Sequence, residues 1–408
     1  MPTQSLLIYS PHNSPRLQYT LQLLFNIVLG VAYEFTTDEH RFSAFGGAKI
    51  SYGKTTGSAA LFLHADELLF ENDIKLVSIA AGSYNEIKTI FHHNHTAALP
   101  FDPFAATFYL VSRYEEYLPF KPDNHGRFPA ELSLSYKDGF HKVPVVNHYA
   151  LFLKQLIVSH FPDFNFPEKK YQFQLTYDID MAFAFREKGV LRNAGGFLRS
   201  FRNLNLKEVA LRLKVLAGLE QDPFDSFDYQ QLLHEKYSLQ PVYFFLLGDH
   251  SRFDKNISWR KDAFAKVVKQ IADKYETGIH ASYASNFFPE KIMMEKERLE
   301  KMSGRNVFRN RQHFLKLQFP DTYQKLIAAG ITEDYTMGYS SQTGFRAGIA
   351  SPFYFYDLQN DTSTHLLIHP FAAMDAAMFY NMKLSPDAAL EQSKQLADEV
   401  KKVNGTFI

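Results

Sequence analysis

The sequence predicts an α/β fold in two parts. A mostly parallel sheet, open or closed as a barrel, is expected over residues 170–408, preceded by a smaller α/β unit over residues 1–165. Three observations carry this. From residue 171 onward, short apolar strand patterns alternate with helical patterns of about 10–15 residues, the mark of parallel β–α repeats. The stretch PDFNFPEKK (162–170) reads as a linker. The run YQFQLTYDIDMAF (171–183) alternates apolar and polar residues and then meets two acids, Asp178 and Asp180. Side chains two apart on a strand share a face, so the pair needs a positive partner, a shared proton or solvent.

In the first part, SLLIYS and AYEFTTD read as strands. SPRLQYTLQLLFNIVLG has apolar residues at helical spacing and stops at a glycine. PFDPFAATFYLVSRYEEYL enters a helix through Asp-Pro, PFKPDNHGRFPAE reads as a loop, and NHYALFLKQLIVSHF as an amphipathic helix. In the second part, QPVYFFLLGD (240–249) is a continuous apolar run suited to a buried strand, and RKDAFAKVVKQIADKY is a helix. TGIHASY (277–283) is a short strand and a loop. HFLKLQFPDTYQKLIAAGI holds a helix ending at Gly330. STHLLIHPF is a strand, and SPDAALEQSKQLADEVKKV a helix. In such sheets functional groups gather at the C-terminal ends of strands, where Asp178, Asp180 and His280 fall.

The 408 residues allow roughly two or three domains. Apolar residues make up 46 %, enough for a sizeable core, and 44 basic residues balance 44 acidic ones. That balance argues against nucleic-acid binding by bulk charge. With no cysteine there is no disulfide framework, thiolate zinc site or thiol nucleophile, so any metal must be held by His, Asp or Glu. The N-terminus lacks a basic segment before an apolar run, and no stretch is long enough to span a membrane. The expectation is a cytoplasmic protein. Oligomeric state is not legible.

The acid pair gains weight from His280, ending the TGIH strand, and His313 in RNRQHFL. Aspartate with two histidines is a common set for zinc or a related divalent ion. Other groups read more plainly. His92, His93 and His95 look like surface histidines, His125 like a loop residue, and Glu115 and Glu116 like a solvated or salt-bridged face. Gly46-Gly47 and GKTTGS (53–58) match a phosphate cradle only weakly.

In order, LTYDID, PVYFFLL, GIHASY, RQHFL, GFRAG and the closing helix resemble a divergent polysaccharide deacetylase, carbohydrate esterase family four with its nodulation-deacetylase homology domain. The resemblance covers about residues 171–408, and the preceding part resembles an uncharacterised domain found before such catalytic domains in some bacterial proteins. It implies a deformed (β/α) barrel and metal-dependent removal of acetyl groups from a bacterial glycan, with a divalent metal, zinc foremost, as cofactor. Carried residue by residue, it implies Asp178 as base and Asp180 as metal ligand, or the two exchanged, with His280 as a further ligand and Arg311 as the group orienting the base. The usual second histidine would fall at Ala284, and we expect His313 to replace it. The last motif, a strand ending at the histidine that protonates the leaving group, has its letters at His369 in HLLIHP. The order of elements puts that strand at NGTFI, after the closing helix, so either His369 serves as the catalytic acid, or that histidine was lost with a missing tail, or the acid is dispensed with. Arg346 and Tyr283 are expected to contact the glycan, with Phe314 and Tyr339 as further stacking surfaces. Two rival readings are a non-catalytic glycan-binding or scaffold protein on the same fold, and an amide hydrolase acting on a small molecule.

Overall fold

The structure is a computed structural model describing residues 5–54 and 61–408, so Thr55–Ser58 of the GKTTGS stretch lie outside the described residues. Two compact units are present. One comprises Met1–Phe173, Leu315–Gln324 and Thr332–Ile408, the other Gln174–Phe314 and Lys325–Ile331. Residues 332–408 thus group with residues 1–173 in the first of these units. Long-range polar contacts within that unit account for the return. Arg16 pairs with Asp361 at 2.9 Å, and the Tyr19 hydroxyl donates to the carbonyl of Tyr354 at 2.8 Å.

In the first unit, β1 (Leu6–Tyr9), β2 (Tyr33–Thr36), β3 (Lys49–Gly53) and β4 (Phe62–His64) form a parallel sheet ordered β2-β1-β3-β4. Leu6, Leu7 and Ile8 are wholly buried, as befits a strand covered on both faces. Helix α1 (Pro15–Leu21) starts at Ser14, whose side chain accepts from the Leu17 N–H. It continues as a π-helical segment, Gln22–Leu29, and stops at Gly30, whose φ of 73° suits glycine. Helix α2 (Glu39–Ala44) links β2 to β3, and β5 (Gly82–Tyr84) and β6 (Ile87–Thr89) form a hairpin. Helix α3 (Pro103–Val111) is capped by Asp102 and buried throughout. The helix expected to run on through YEEYL ends there because Arg113 turns to φ 56° and bonds Glu115 and Glu116. Helices α4 (Leu134–Lys137) and α5 (Val145–His160) complete this stretch.

The single strand expected over 171–177 is two strands. In the first unit β7 (Gln172–Phe173) pairs with Thr406–Phe407. In the second, β8 (Thr176–Ile179) begins after Gln174, whose amide turns back onto the carbonyls of Leu175 and Gln240.

The second unit continues through α6 (Gly189–Arg202), α7 (Leu206–Leu216), α8 (Phe227–Tyr237), β9 (Val242–Phe245), α9 (Asp262–Lys274), β10 (Glu276–Ala281), α10 (Glu290–Ser303) and β11 (Arg309–Gln312). Its strands pair in parallel in the order β8-β9-β10-β11, with Asp178 opposite Phe244 and His280 opposite Arg311. All four residues of β9 are buried, and α9 packs Phe264, Val268, Ile271 and Ala272 at helical spacing. Gly278 permits the close strand packing, since a Cβ there would sit 2.7 Å from the Arg309 carbonyl oxygen. Parallel strands bring their C-terminal ends to one edge, which collects Asp178, His280 and His313.

After α11 (Asp321–Ala328), the first unit resumes with β12 (Glu333–Asp334), β13 (Phe353–Asp357), β14 (Thr362–Ile368), α12 (Pro386–Lys402) and β15 (Thr406–Phe407). Strand β14 pairs in parallel with β12 and antiparallel with β13. Among the described residues no helix is long and apolar enough to cross a membrane.

Candidate metal centre

Asp180 follows the last residue of β8, His280 lies near the end of β10, and His313 follows β11. One ligand atom from each lies within 4.8 Å of the other two. Asp180 Oδ1 is 3.4 Å from His280 Nε2, and its Oδ2 is 3.7 Å from His313 Nε2. Both imidazoles are buried, while the Asp180 side chain is 53 % exposed, so the cluster opens to solvent on its carboxylate side.

The far nitrogen of each ring is tied down. His280 Nδ1 lies 2.8 Å from the Arg311 carbonyl oxygen, which only accepts, so Nδ1 carries the proton and Nε2 is left as a lone pair facing Asp180. His313 Nδ1 lies 2.9 Å from Asp254 Oδ1. A ligating histidine held through its other nitrogen by a carboxylate or carbonyl is the usual outer support of a metal site. Burial first, then the neighbouring His313, lower the His280 pKa, against the pull of Asp178 and Asp180; the net effect favours the neutral form a metal requires. Two imidazoles held through their Nδ1 atoms and an open carboxylate fit zinc or a similar divalent ion.

Asp254 has no exposed surface and is the residue that sequence reasoning missed. It also accepts from the N–H of Tyr283 at 2.7 Å and of Ala284 at 3.3 Å, and from the Ser251 hydroxyl at 3.0 Å. Burial pushes its carboxyl up, but the His313 and Tyr283 hydrogen bonds outweigh that and hold it below the usual carboxylate value. In sequence it lies in the polar loop SRFDKN, nine residues past the end of β9, where nothing sets it apart from a solvated loop acid.

Asp178 stands on the same strand as the cluster. Arg311 Nη1 donates to Asp178 Oδ1 at 3.0 Å and to Thr176 Oγ1 at 2.9 Å. The other carboxylate oxygen of Asp178, Oδ2, is buried and accepts no hydrogen bond from a described residue. Behind β10, Glu295 on α10 accepts from the Ser282 N–H at 2.9 Å. Burial pushes the Glu295 carboxyl up to about 7. The chain after Asp180 is pinned by Asp222, which accepts from the N–H groups of Ala184, Phe185 and Arg186.

Tyr283 lies against Phe253 at 4.3 Å and Phe314 at 5.3 Å between ring centres, and Phe314 adopts φ 63° directly after His313. The remaining candidates belong to the first unit. Arg346 was expected in the cleft; it is buried, and its guanidinium is engaged by both carboxylate oxygens of Glu116 and the Gly338 carbonyl. His369 Nε2 is 3.1 Å from Glu333, and its ring stacks on Tyr335 at 4.2 Å. Tyr339 is buried with its hydroxyl bonded to Ser133 at 3.0 Å. His93 and His95 pack with His64, and His92 bonds Thr89. Among the described residues the Asp180–His280–His313 group is the one found with convergent ligand atoms.

Residues 6–162 match a family described as a family of unknown function (DUF7033). No curated protein matches the chain. Among solved structures, the chain is similar to a "putative polysaccharide deacetylase from Mycobacterium smegmatis", with 15 % identity, 60 % of this chain and 77 % of that one covered, and a TM-score of 0.37. It is also similar to Puue allantoinase, with 11 % identity, 70 % and 80 % coverage and a TM-score of 0.34. A third is the polysaccharide deacetylase Bc1974 from Bacillus cereus, with 9 % identity, 58 % and 88 % coverage and a TM-score of 0.24. Likenesses this distant carry no argument about the site, which stands on its own geometry.

Proposed function

We propose that this chain is a metal-dependent hydrolase that removes acetyl groups from a glycan. The observation that carries the reading is the meeting of the Asp180, His280 and His313 ligand atoms within 4.8 Å, on the same sheet edge as the Asp178–Arg311 pair. The motif resemblance supplies the substrate class and the deformed barrel, and zinc is the ion the donor set suits best. A divalent ion held there lowers the pKa of bound water and polarises an acyl carbonyl.

The chain's own residues do the rest. Asp180, His280 and His313 hold the ion, with Asp254 and the Arg311 carbonyl fixing the two rings. Arg311 locks the rotation of the Asp178 carboxylate through Oδ1 and leaves Oδ2 free to take a proton from water. That proton passes to the leaving nitrogen or oxygen, so the products are acetate and a free amine or hydroxyl. Tyr283 and its aromatic neighbours offer a face on which a sugar ring stacks. Arg346 and His369, engaged with Glu116 and Glu333, take no part in this scheme.

The test is acetate release from N- and O-acetylated oligosaccharides by zinc-loaded protein, with Asp178→Asn as control. Release abolished by Asp178→Asn supports the reading. Stoichiometric zinc without release from any substrate favours the glycan-binding alternative.

A further inference from the structure

Another feature of the second unit lies one residue along the chain from the ligand Asp180 and one from Asp254, the carboxylate that holds His313. A cavity of about 460 Å³ is lined by Met181, which follows Asp180, and by Lys255, which follows Asp254. Its other charged walls are Lys188, Arg192, Arg199 and Arg212, against one carboxylate, Glu208. Among the described residues, Arg212 alone of these cations is ion-paired, to Glu208 at 3.0 Å.

Arg212 marks this as a built site. It is 6 % exposed, its guanidinium lies over Phe185 and Phe197 at 4.5 and 5.4 Å, and Nη1 reaches Asn193 at 3.3 Å. Its Nε is buried without a hydrogen-bond partner. Gly196 makes room for it, since a Cβ there would stand 2.1 Å from Nη1. Arg192 is braced by the carbonyls of Lys188 and Asn256 at 3.1 Å each. Burial, then repulsion from Arg212 and Arg192, lower the Lys188 pKa against the pull of Asp222, so the cations here are crowded together. A cationic cleft of this kind concentrates field and favours a fixed oxyanion.

We infer that this cavity binds the anionic group, carboxylate or phosphate, of an acidic substrate whose acyl group lies at the metal centre. The anion site stands on its own; its assignment to a substrate rests on the hydrolase reading. Its use is selection: an acidic glycan or other acylated anion is held by Lys188, Arg192, Arg199 and Arg212, whereas a neutral one brings no anion to them.

The experiment titrates inorganic phosphate into chelator-treated, metal-free protein by calorimetry at about 0.15 M salt, where the screening length is about 8 Å. The proteins compared are wild type, the double variant Lys188→Gln/Arg199→Gln and Asp180→Ala. The expected result is saturable binding to wild type, retained in Asp180→Ala and weakened about tenfold or more in the double variant, a change of about 1.4 kcal/mol or more. No saturable binding to wild type, a smaller weakening in the double variant, or loss in Asp180→Ala overturns the proposal. Competition between phosphate and D-glucuronate then tells which oxyanion is preferred. If acetate release is found, the double variant should raise KM for acidic acetylated oligosaccharides, leaving kcat and the KM for neutral ones unchanged; equal effects on both overturn the substrate assignment. Absence of all acetate release counts against the hydrolase reading and leaves the calorimetric result standing.

Discussion

His313 Nδ1 lies 2.9 Å from Oδ1 of Asp254, a carboxylate with no exposed surface. This contact turns a histidine at the end of β11 into an oriented donor, because it fixes which nitrogen carries the proton and where the other points. Asp254→Asn keeps the size but weakens that hold. Zinc affinity, measured by competition with a chromophoric chelator, should fall about 10–100-fold, the usual effect of removing such a support. Unchanged affinity would mean that His313 needs no orienting.

Arg311 serves Asp178 through its side chain and His280 through its carbonyl. Arg311→Met removes the side-chain bonds to Asp178 and Thr176 and keeps the carbonyl. Zinc content should stay at the wild-type level while kcat falls, by about 10²-fold or more if the carboxylate is the general base. Loss of zinc along with activity would show that the guanidinium supports the metal site rather than the base.

Glu295 lowers stability at neutral pH. Its folded pKa, pushed up to about 7 by burial, exceeds its ordinary value of 4.5. Stability from the protonated carboxyl is therefore fully present below about 4.5 and lost as pH rises through about 7. Glu295→Gln cannot titrate, so relative to wild type it should gain up to about 3 kcal/mol between pH 4.5 and 8. Urea denaturation at several pH values measures this. A constant difference would show that Glu295 titrates normally.

Arg346 and Glu116 form a buried ion pair, with side chains 3 % and 2 % exposed. Arg346→Met strands a buried carboxylate beside Arg113 alone and should cost about 3–5 kcal/mol. Zinc content of the folded fraction should be unchanged. A variant of normal stability with a raised KM would return Arg346 to the substrate-contact role suggested by the sequence.

The alternating run 171–177, the apolar β9 and the strand-end histidine made the parallel strands and the meeting of Asp180 with His280 legible. His313 was expected because the family resemblance asks for a second histidine that falls at Ala284, and His313 in RNRQHFL was the imidazole at hand. The break between β7 and β8 was hidden, since the alternation continues across Gln174. The grouping of 332–408 with the first unit was also hidden: the contacts responsible, such as Arg16 with Asp361 and Arg346 with Glu116, join residues more than two hundred positions apart. Asp254 and Glu295 look solvated in sequence, one in a polar loop and the other in the charged helix EKIMMEKERLEKMS. Only tertiary packing reveals that both are buried. Nothing in the sequence singled out the cations around Arg212, which come together only in the cavity.

The central claim is that Asp180, His280 and His313 hold a divalent ion. Its most direct test is the metal content, by mass spectrometry, of protein purified without added metal, beside Asp180→Ala prepared identically. The account predicts one divalent ion, foremost zinc, per wild-type chain and a marked loss in the variant. A wild-type protein that neither carries nor takes up zinc, or a variant that retains it equally, would contradict the account.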